Sequence, residues 1–114
     1  MKTIEDLNVY KKSIELAINV YNITKSYPAC ELYCLISQMR RAVVSIISNL
    51  SEGGSRISKG EQRQFFGIAR GSTAELKTQV VLSQAIGYIK NEDKNKLITD
   101  ITEIHKMITA LINK

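Results

Sequence analysis

The chain is poor in residues that interrupt helices and in residues that build catalytic or metal centres. Its 114 residues include one proline, six glycines, two cysteines, one histidine and no tryptophan. Few prolines and glycines leave long uninterrupted stretches, which favours helices. No apolar run approaches the roughly 20 residues of a membrane-spanning helix. The first residues are charged and no apolar segment follows them, so we expect a cytoplasmic protein without a signal peptide or membrane contact.

Cysteine and histidine are too sparse for a metal site. Cys30 and Cys34 are four residues apart and His105 is distant in sequence, whereas a zinc site takes about four ligands. The cysteine spacing is also unfavourable for an unstrained disulfide. We therefore expect two reduced cysteines, one of them half-buried, and no cofactor.

The usual signs of catalysis are also missing. His105 has no obvious partners for a catalytic triad, and its isoleucine-rich helix favours a residue that is partly buried or lies at the boundary between core and surface. The segment at Gly53–Gly54 lacks the ending of a phosphate-binding P-loop. Glu52 and Glu75 have no histidine to complete a metal site. We therefore expect a protein that is not an enzyme.

Apolar residues recur at steps of three and four in four segments, the spacing of amphipathic helices. The segments cover about residues 7–25, 32–52, 59–89 and 91 onward. The strictest stripe, with a 4-3-4-3 spacing, belongs to the last segment: Leu97, Ile101, Ile104, Ile108 and Leu111. Such a heptad pattern is typical of helices that pack at a shallow angle. The prediction is an all-α fold, an antiparallel up-down-up-down four-helix bundle, with residues 1–114 in one domain.

Short breaks separate the four segments. Pro28 ends the first, because proline disfavours a helical residue before it. Gly53–Gly54 are expected to close the second in left-handed conformations. Ser58 and Glu61 have the form of a capping box at the start of the third. Asn91 is expected to cap the fourth, with acidic residues in its first turn.

A second, polar stripe on the second segment faces the third. Folding the two helices together about residues 55–57 brings Ser45 beside Gly67 and Arg41 beside Gly71. Because a glycine inside a helix costs ~1 kcal/mol relative to alanine, the two glycines predict a close contact between helices. The predicted polar seam consists of Gln38, Arg41, Ser45, Asn49, Glu52, Arg70 and Glu75.

Charge pairing within this seam is the next expectation. The same folding brings Gln38 beside Glu75, so we expect an ion pair between Glu75 and Arg40 or Arg41, with Arg70 reaching the same place. Two interpretations are open. The seam is either a network that fixes helix register or a set of arginines that bind phosphates through planar guanidinium groups.

The chain carries an excess of positive charge. Sixteen Lys and Arg residues against eleven Asp and Glu residues give a net charge of +5. This excess favours an anionic partner such as nucleic acid, with a solvated basic surface as the alternative. The candidate phosphate-binding residues lie in the seam and around the break before the third segment: Arg40, Arg41, Arg56, Lys59, Arg63 and Arg70.

Three longer motifs are more specific in combination than any single feature. The first, from Leu32, reads Leu-Tyr-x-Leu-x-Ser-Gln-x-Arg-Arg-Ala, and the second, from Ser45, reads Ser-Ile-x-x-Asn-x-x-Glu-Gly. The third, from Ile68, reads Ile-Ala-Arg-Gly-Ser-x-Ala-Glu-Leu-x-Thr-Gln. With Asp-Leu-x-Val near the start and Gly-Tyr at 87–88, they span nearly the whole chain. The pattern resembles the 23S rRNA intervening-sequence proteins, although Ile47 stands where that family often has proline.

The resemblance implies a small bacterial four-helix bundle that assembles into a homo-oligomer, expected to be a pentamer. It also implies a relation to the accessory variability determinant proteins of diversity-generating retroelements, which bind nucleic acid and a reverse transcriptase. The isoleucine in place of proline implies a straighter second helix. We therefore expect a basic oligomer that binds RNA or other nucleic acid. The alternative is a scaffold or accessory subunit for a protein such as a reverse transcriptase, with nucleic-acid contact incidental.

Overall fold

Four amphipathic helices make up most of the computed structural model, which describes residues 3–114. The helices are α1 Asn8–Thr24, α2 Leu35–Ser55, α3 Lys59–Ala85 and α4 Asn91–Ile112. Short 3-10 turns at Ile4–Asp6 and Ala29–Glu31 precede α1 and α2. No strand occurs among the described residues, and the all-α prediction is confirmed.

Contacts between the helices establish their directions. Ser45 meets Ser72 near the turn between α2 and α3, and farther from that turn Met39 meets Ser83. The same reversed order relates α1 to α2, α3 to α4 and α4 to α1. Each helix packs against its two neighbours, so α1 lies diagonal to α3. The bundle is therefore antiparallel with up-down-up-down connections, as the short breaks predict.

The core lies along the predicted apolar stripes. Burying each large aliphatic side chain contributes roughly 1.5–3 kcal/mol, so the helices are held by packing more than by their intrinsic propensity. The largest fully buried aliphatic and methionine side chains are Leu16, Met39, Ile46, Leu50, Leu76, Ile101, Ile104 and Ile108. α2 is helical throughout its length, including the position of Ile47.

The two consecutive glycines of α2 do not end it. Both lie within the helix, which runs on to Ser55, and neither has a positive φ. They are places of close approach instead: a Cβ on Gly53 would lie 2.7 Å from Phe66 Cε1, and one on Gly54 would lie 2.6 Å from Ile4 Cβ. The expectation of left-handed closing residues is therefore wrong here, because tertiary packing sets the requirement for glycine.

The predicted close contact between α2 and α3 exists, but at a different place. A Cβ added to Gly67 or Gly71 would meet nothing within 4 Å. The close approach is at Gly53, near the turn, where the ring of Phe66 lies against the α2 backbone. The prediction that Gly67 and Gly71 form the contact is wrong.

The end of α3 and the start of α4 also differ from expectation. α3 ends at Ala85, before the predicted position 89. Gly87, with φ 87°, takes the left-handed position, and its N–H donates to Gln84 O at 3.0 Å while Tyr88 N–H donates to Ser83 O at 2.8 Å. These two bonds form a Schellman motif, which stops the helix. Lys90, and not Asn91, occupies the cap position of α4, although the acidic first turn is confirmed.

The remaining local predictions concern the cap of α3 and the two cysteines. Ser58 Oγ accepts the N–H of Glu61 at 3.2 Å, so the serine cap of α3 is confirmed. Cys30 and Cys34 are both exposed and not bonded to each other. The expected half-burial of one cysteine is therefore wrong.

Candidate nucleic-acid interface

Part of the predicted polar seam lies in a shallow depression between α2 and α3. Ser72 Oγ donates to Ser45 Oγ at 2.8 Å, and Asn49 Nδ2 donates to Ser45 O at 2.8 Å. Ser45 thus meets a residue five positions farther along α3 than predicted, because α2 continues past its glycines before the chain turns. The depression is also lined by Gln38, Arg41, Ala42 and Glu75.

The ion pair expected in the seam is not formed. Among residues 3–114, no arginine nitrogen lies within 4.0 Å of the Glu75 carboxylate. Arg40 turns toward α1, where its Nε donates to Thr24 Oγ1 at 3.0 Å and its guanidinium lies 4.7 Å from the centre of the Tyr21 ring. Arg41 is exposed. The prediction of a pair between Glu75 and Arg40 or Arg41 is therefore wrong.

Glu52, a member of the predicted seam, lies outside this depression, close to the turn between α2 and α3. Its carboxylate is 3.6 Å from an Nη atom of Arg56. The same guanidinium lies 4.8 Å from the centre of the Phe65 ring. Arg56 is therefore held against the protein by a carboxylate and an aromatic ring, and its charge is partly compensated.

Arg70 lies on the opposite side of α3 from the seam, toward α4. Its Nη1 donates to Thr109 Oγ1 at 3.4 Å, and Thr109 Oγ1 donates to His105 O at 3.0 Å. His105 is half-buried, as expected, with Nδ1 2.9 Å from Thr73 Oγ1. Because the Thr73 hydroxyl already donates its hydrogen to Arg70 O at 2.6 Å, its oxygen accepts a hydrogen bond from Nδ1–H of His105. The placement of Arg70 in the seam is wrong.

Three cations on α3 share the side that faces α4. Arg63 Nε donates to Ile112 O at 3.3 Å, and Arg63 Nη2 donates to Lys114 O at 3.4 Å. Arg63, Arg70 and Lys77 follow one another at steps of seven, which places them on one side of the helix. Since the two arginines reach α4, Lys77 lies on the same side.

The facing stripe of α4 adds a fourth cation. It begins at Lys94 and continues at steps of four and three through Ile98, Thr102, His105 and Thr109, the last two of which contact α3. Neither this stripe nor the α3 stripe contains a carboxylate. We call the four cations of these stripes the basic face: Arg63, Arg70, Lys77 and Lys94.

Three of the four acidic residues of α4 lie on its side toward α1. Glu103 is 3.2 Å from Lys12 Nζ of α1, and Asp100 lines a depression against the same helix. Asp93 lines a second depression against α1, together with Lys96. The separation of charge on α4 leaves the side toward α3 positive.

The six arginines and lysines predicted from the sequence do not form one site. Arg63 and Arg70 lie on the basic face, and Lys59 lies with Arg63 at one end of the bundle. The arginines at 40, 41 and 56 lie elsewhere. Lys77 and Lys94 complete the basic face although they are not among those six. The seven-residue spacing from Arg63 through Lys77 is the sequence signal for the α3 part.

A different surface lies on the opposite side of the bundle, along α1 and α2. There, large apolar side chains remain 37–90% exposed, which is a candidate contact for another protein. We call this the apolar α1/α2 face: Ile14, Ile18, Tyr21, Leu32, Tyr33 and Val44. Within residues 3–114, no helix is long and apolar enough to cross a membrane. Over the same residues, no three His, Cys, Asp or Glu side chains converge to hold a metal ion.

Comparisons with known proteins agree with this architecture. The family model described as 23S rRNA-intervening sequence protein matches residues 5–110. A crystal structure from Bacteroides thetaiotaomicron VPI-5482, described as a protein of unknown function from the S23 ribosomal protein family, superposes with a TM-score of 0.86. The two chains are 25% identical over 93% of this chain and 96% of the other. No functionally curated protein matches in sequence. The chain belongs to the 23S rRNA-intervening sequence protein family.

Proposed function

We propose that this protein is a non-enzymatic RNA-binding protein that contacts phosphates through the basic face. The observation that carries the proposal is the line of cations along α3, joined by Lys94 of α4, with no carboxylate in either stripe. The family description, which names 23S rRNA, supports RNA as the anion. The net charge of +5 supports an anionic partner in general.

The dimensions of the basic face suit the backbone of a polynucleotide. At 1.5 Å rise per residue, each seven-residue step on α3 spans about 10 Å, so Arg63 and Lys77 are about 21 Å apart. Arginine can donate two parallel hydrogen bonds to one phosphate. Arg70 donates one hydrogen bond to a neutral group, the Thr109 hydroxyl, so its other N–H groups can donate to a phosphate. Contacts to phosphates position a nucleic acid without reading its bases, so we expect broad sequence tolerance at this face.

Titration of labelled RNA at rising salt concentration tests the proposal, with fluorescence anisotropy as the readout. Lys94→Gln should weaken binding several-fold and reduce the slope of log K against log salt by about 0.7–1. Lys96→Gln is the matched control, because Lys96 lies two residues away but lines a depression against α1. It should leave affinity nearly unchanged. Salt-independent binding, or equal losses for the two lysine variants, would refute the proposal.

Self-association is the second part of the proposal and is supported by the apolar α1/α2 face. Exposure of Ile18 at 56% and Tyr33 at 90% is unfavourable for a surface that stays in water. The face lies across the bundle from the basic face, so copies joined through it leave their cations accessible. A pentamer, as the family resemblance implies, would carry five times the +5 of one chain and would strengthen weak phosphate contacts by avidity.

The alternative function is a scaffold in which the apolar α1/α2 face binds a different protein, such as a reverse transcriptase. Light scattering distinguishes self-association through this face from the binding of a different protein. Ile18→Glu should dissociate a homo-oligomer, whereas Ile57→Glu, at a 99% exposed position in the turn before α3, should not. A wild-type protein that is already monomeric, and that retains a protein partner after nuclease treatment, would favour the scaffold.

A further inference from the structure

A cavity of about 330 Å³ opens at the end of the bundle where α2 turns into α3. Its apolar wall is formed by Ile4, Leu7, Phe66 and Leu111. Ile4 and Phe66 are nearly buried because each lies against a glycine of α2, at the contacts described above. The wall is therefore fixed by packing, and the cavity volume falls within the range of small-ligand sites.

The rest of the cavity lining is polar and positive. Lys59 and Arg63 line it, and α3 begins at Lys59, so the positive end of the α3 dipole lies here as well. Gln62 also lines it, with its Nε2 held by a hydrogen bond to Arg56 O at 2.8 Å. Among residues 3–114, no group donates to the Gln62 side-chain oxygen, which leaves an acceptor for a ligand.

The apolar wall and the polar, positive lining together restrict the chemistry of a ligand in this cavity. An inorganic anion would pair with the cations but leave the aromatic and aliphatic wall uncovered. A purely apolar molecule would cover the wall but leave Lys59 and Arg63 without a counter-charge. A nucleotide carries a flat base for the wall, hydrogen-bonding groups for the Gln62 amide and a phosphate for the cations.

We propose that this end cavity seats one unpaired base of single-stranded RNA, with Lys59 and Arg63 holding the adjacent phosphate. The inference rests on the proposed RNA binding, and Arg63 connects the two sites because it both lines the cavity and begins the basic face. The strand would run from the cavity along α3 past Arg70 and Lys77. Contacts at the basic face make the affinity for RNA depend on salt, and the cavity makes that affinity depend on the presence of bases.

The test compares a short oligouridylate with an abasic oligomer that has the same number of phosphates. Wild-type protein should prefer the oligouridylate by roughly five- to hundredfold, the range for stacking of one base. Leu111→Trp narrows the cavity and should bring this preference close to one while keeping the salt dependence. Ile68→Trp, on an exposed part of α3 away from the cavity, should keep the preference. If circular dichroism shows that Leu111→Trp does not fold, Leu7→Trp narrows the cavity from another position in the apolar wall.

The outcomes separate this inference from the proposed function. Salt-dependent binding with no preference for the oligouridylate would overturn the cavity site and leave the basic face intact. A preference that persists in both cavity-narrowing variants would also overturn it, because the base would then bind elsewhere. Absence of salt-dependent binding to either oligomer would refute the proposed function itself.

Discussion

Replacing Gly53 by alanine should destabilise the protein, although alanine is the better helix former. The added Cβ would lie 2.7 and 2.8 Å from two carbons of the Phe66 ring and 3.2 Å from Gln62 O. Phe66 is 7% exposed, so its ring cannot swing freely into solvent. Either the ring or the α2–α3 spacing has to change.

The expected size follows from two opposing effects. Overpacking in a well-filled core costs typically about 1–3 kcal/mol, whereas glycine to alanine inside a helix gains up to about 1 kcal/mol. Gly53 lies in the last turn of α2, where the gain is smaller. We therefore expect a net loss of about 1–2 kcal/mol, or a fall in Tm of several degrees for a chain of this length.

Urea denaturation followed by far-UV circular dichroism measures this change, with Gly67→Ala as the control. A Cβ at Gly67 meets nothing within 4 Å, so only the helix-propensity effect remains and the protein should become more stable by about 0.5–1 kcal/mol. All variants are compared at one protein concentration, since association would add to apparent stability. Equal destabilisation by the two substitutions would refute the reasoning, because it would mean that contact with Phe66 does not distinguish the two glycines.

Three further predictions concern polar side chains. Arg41→Ala should change the unfolding free energy by less than about 0.5 kcal/mol, because Arg41 is exposed and outside any ion pair among residues 3–114; a larger loss in urea denaturation would indicate a buried seam. The Tyr88 hydroxyl donates to Glu31 Oε2 at 2.7 Å, which raises the pKa of Tyr88 from 10.0 to about 12. Its neutral form therefore stabilises the fold fully below pH 10 and progressively less as pH rises toward 12. Ultraviolet titration should show one tyrosine that ionises at higher pH than the others, and Tyr88→Phe should remove this ionisation. Identical titration curves for the wild type and the variant would contradict this prediction. Thr73→Val should cost about 1–3 kcal/mol in thermal or urea unfolding, because Nδ1–H of the half-buried His105 loses its acceptor; a neutral effect would mean that water replaces the threonine.

The helices follow from the sequence because apolar periodicity is a local property. Residues three and four apart share a helix side whatever lies opposite, so the stripes of α2 and α4 predict the buried residues directly. The end of α3 does not follow from the apolar pattern, because apolar residues continue to Ile89. Gly87 ends α3 through its left-handed φ, whereas Gly53 and Gly54, for which the sequence predicts the same conformation at the end of α2, do not adopt it.

Which side chains meet between α2 and α3 depends on the residue at which the chain turns, and the apolar pattern does not determine that residue. An error of five residues along a helix with 3.6 residues per turn rotates the facing side by about 140°. The predicted contacts at Gly67 and Gly71 failed for this reason, and so did the assignment of Arg70 to the α2/α3 seam. A spacing of seven residues survives such an error, because it fixes which cations share a side without fixing what they face.

The placement of the two exposed faces predicts that the proposed assembly and the proposed RNA binding can be separated by mutation. The apolar α1/α2 face and the basic face lie on opposite sides of the bundle, and sites that share no contacts add independently. Ile18→Glu should therefore lower the apparent RNA affinity by removing avidity, while the salt slope per subunit stays the same. Lys94→Gln should reduce that slope and leave the mass from light scattering unchanged. A change of slope on dissociation would contradict this reasoning, since it would mean that two copies build the phosphate site together.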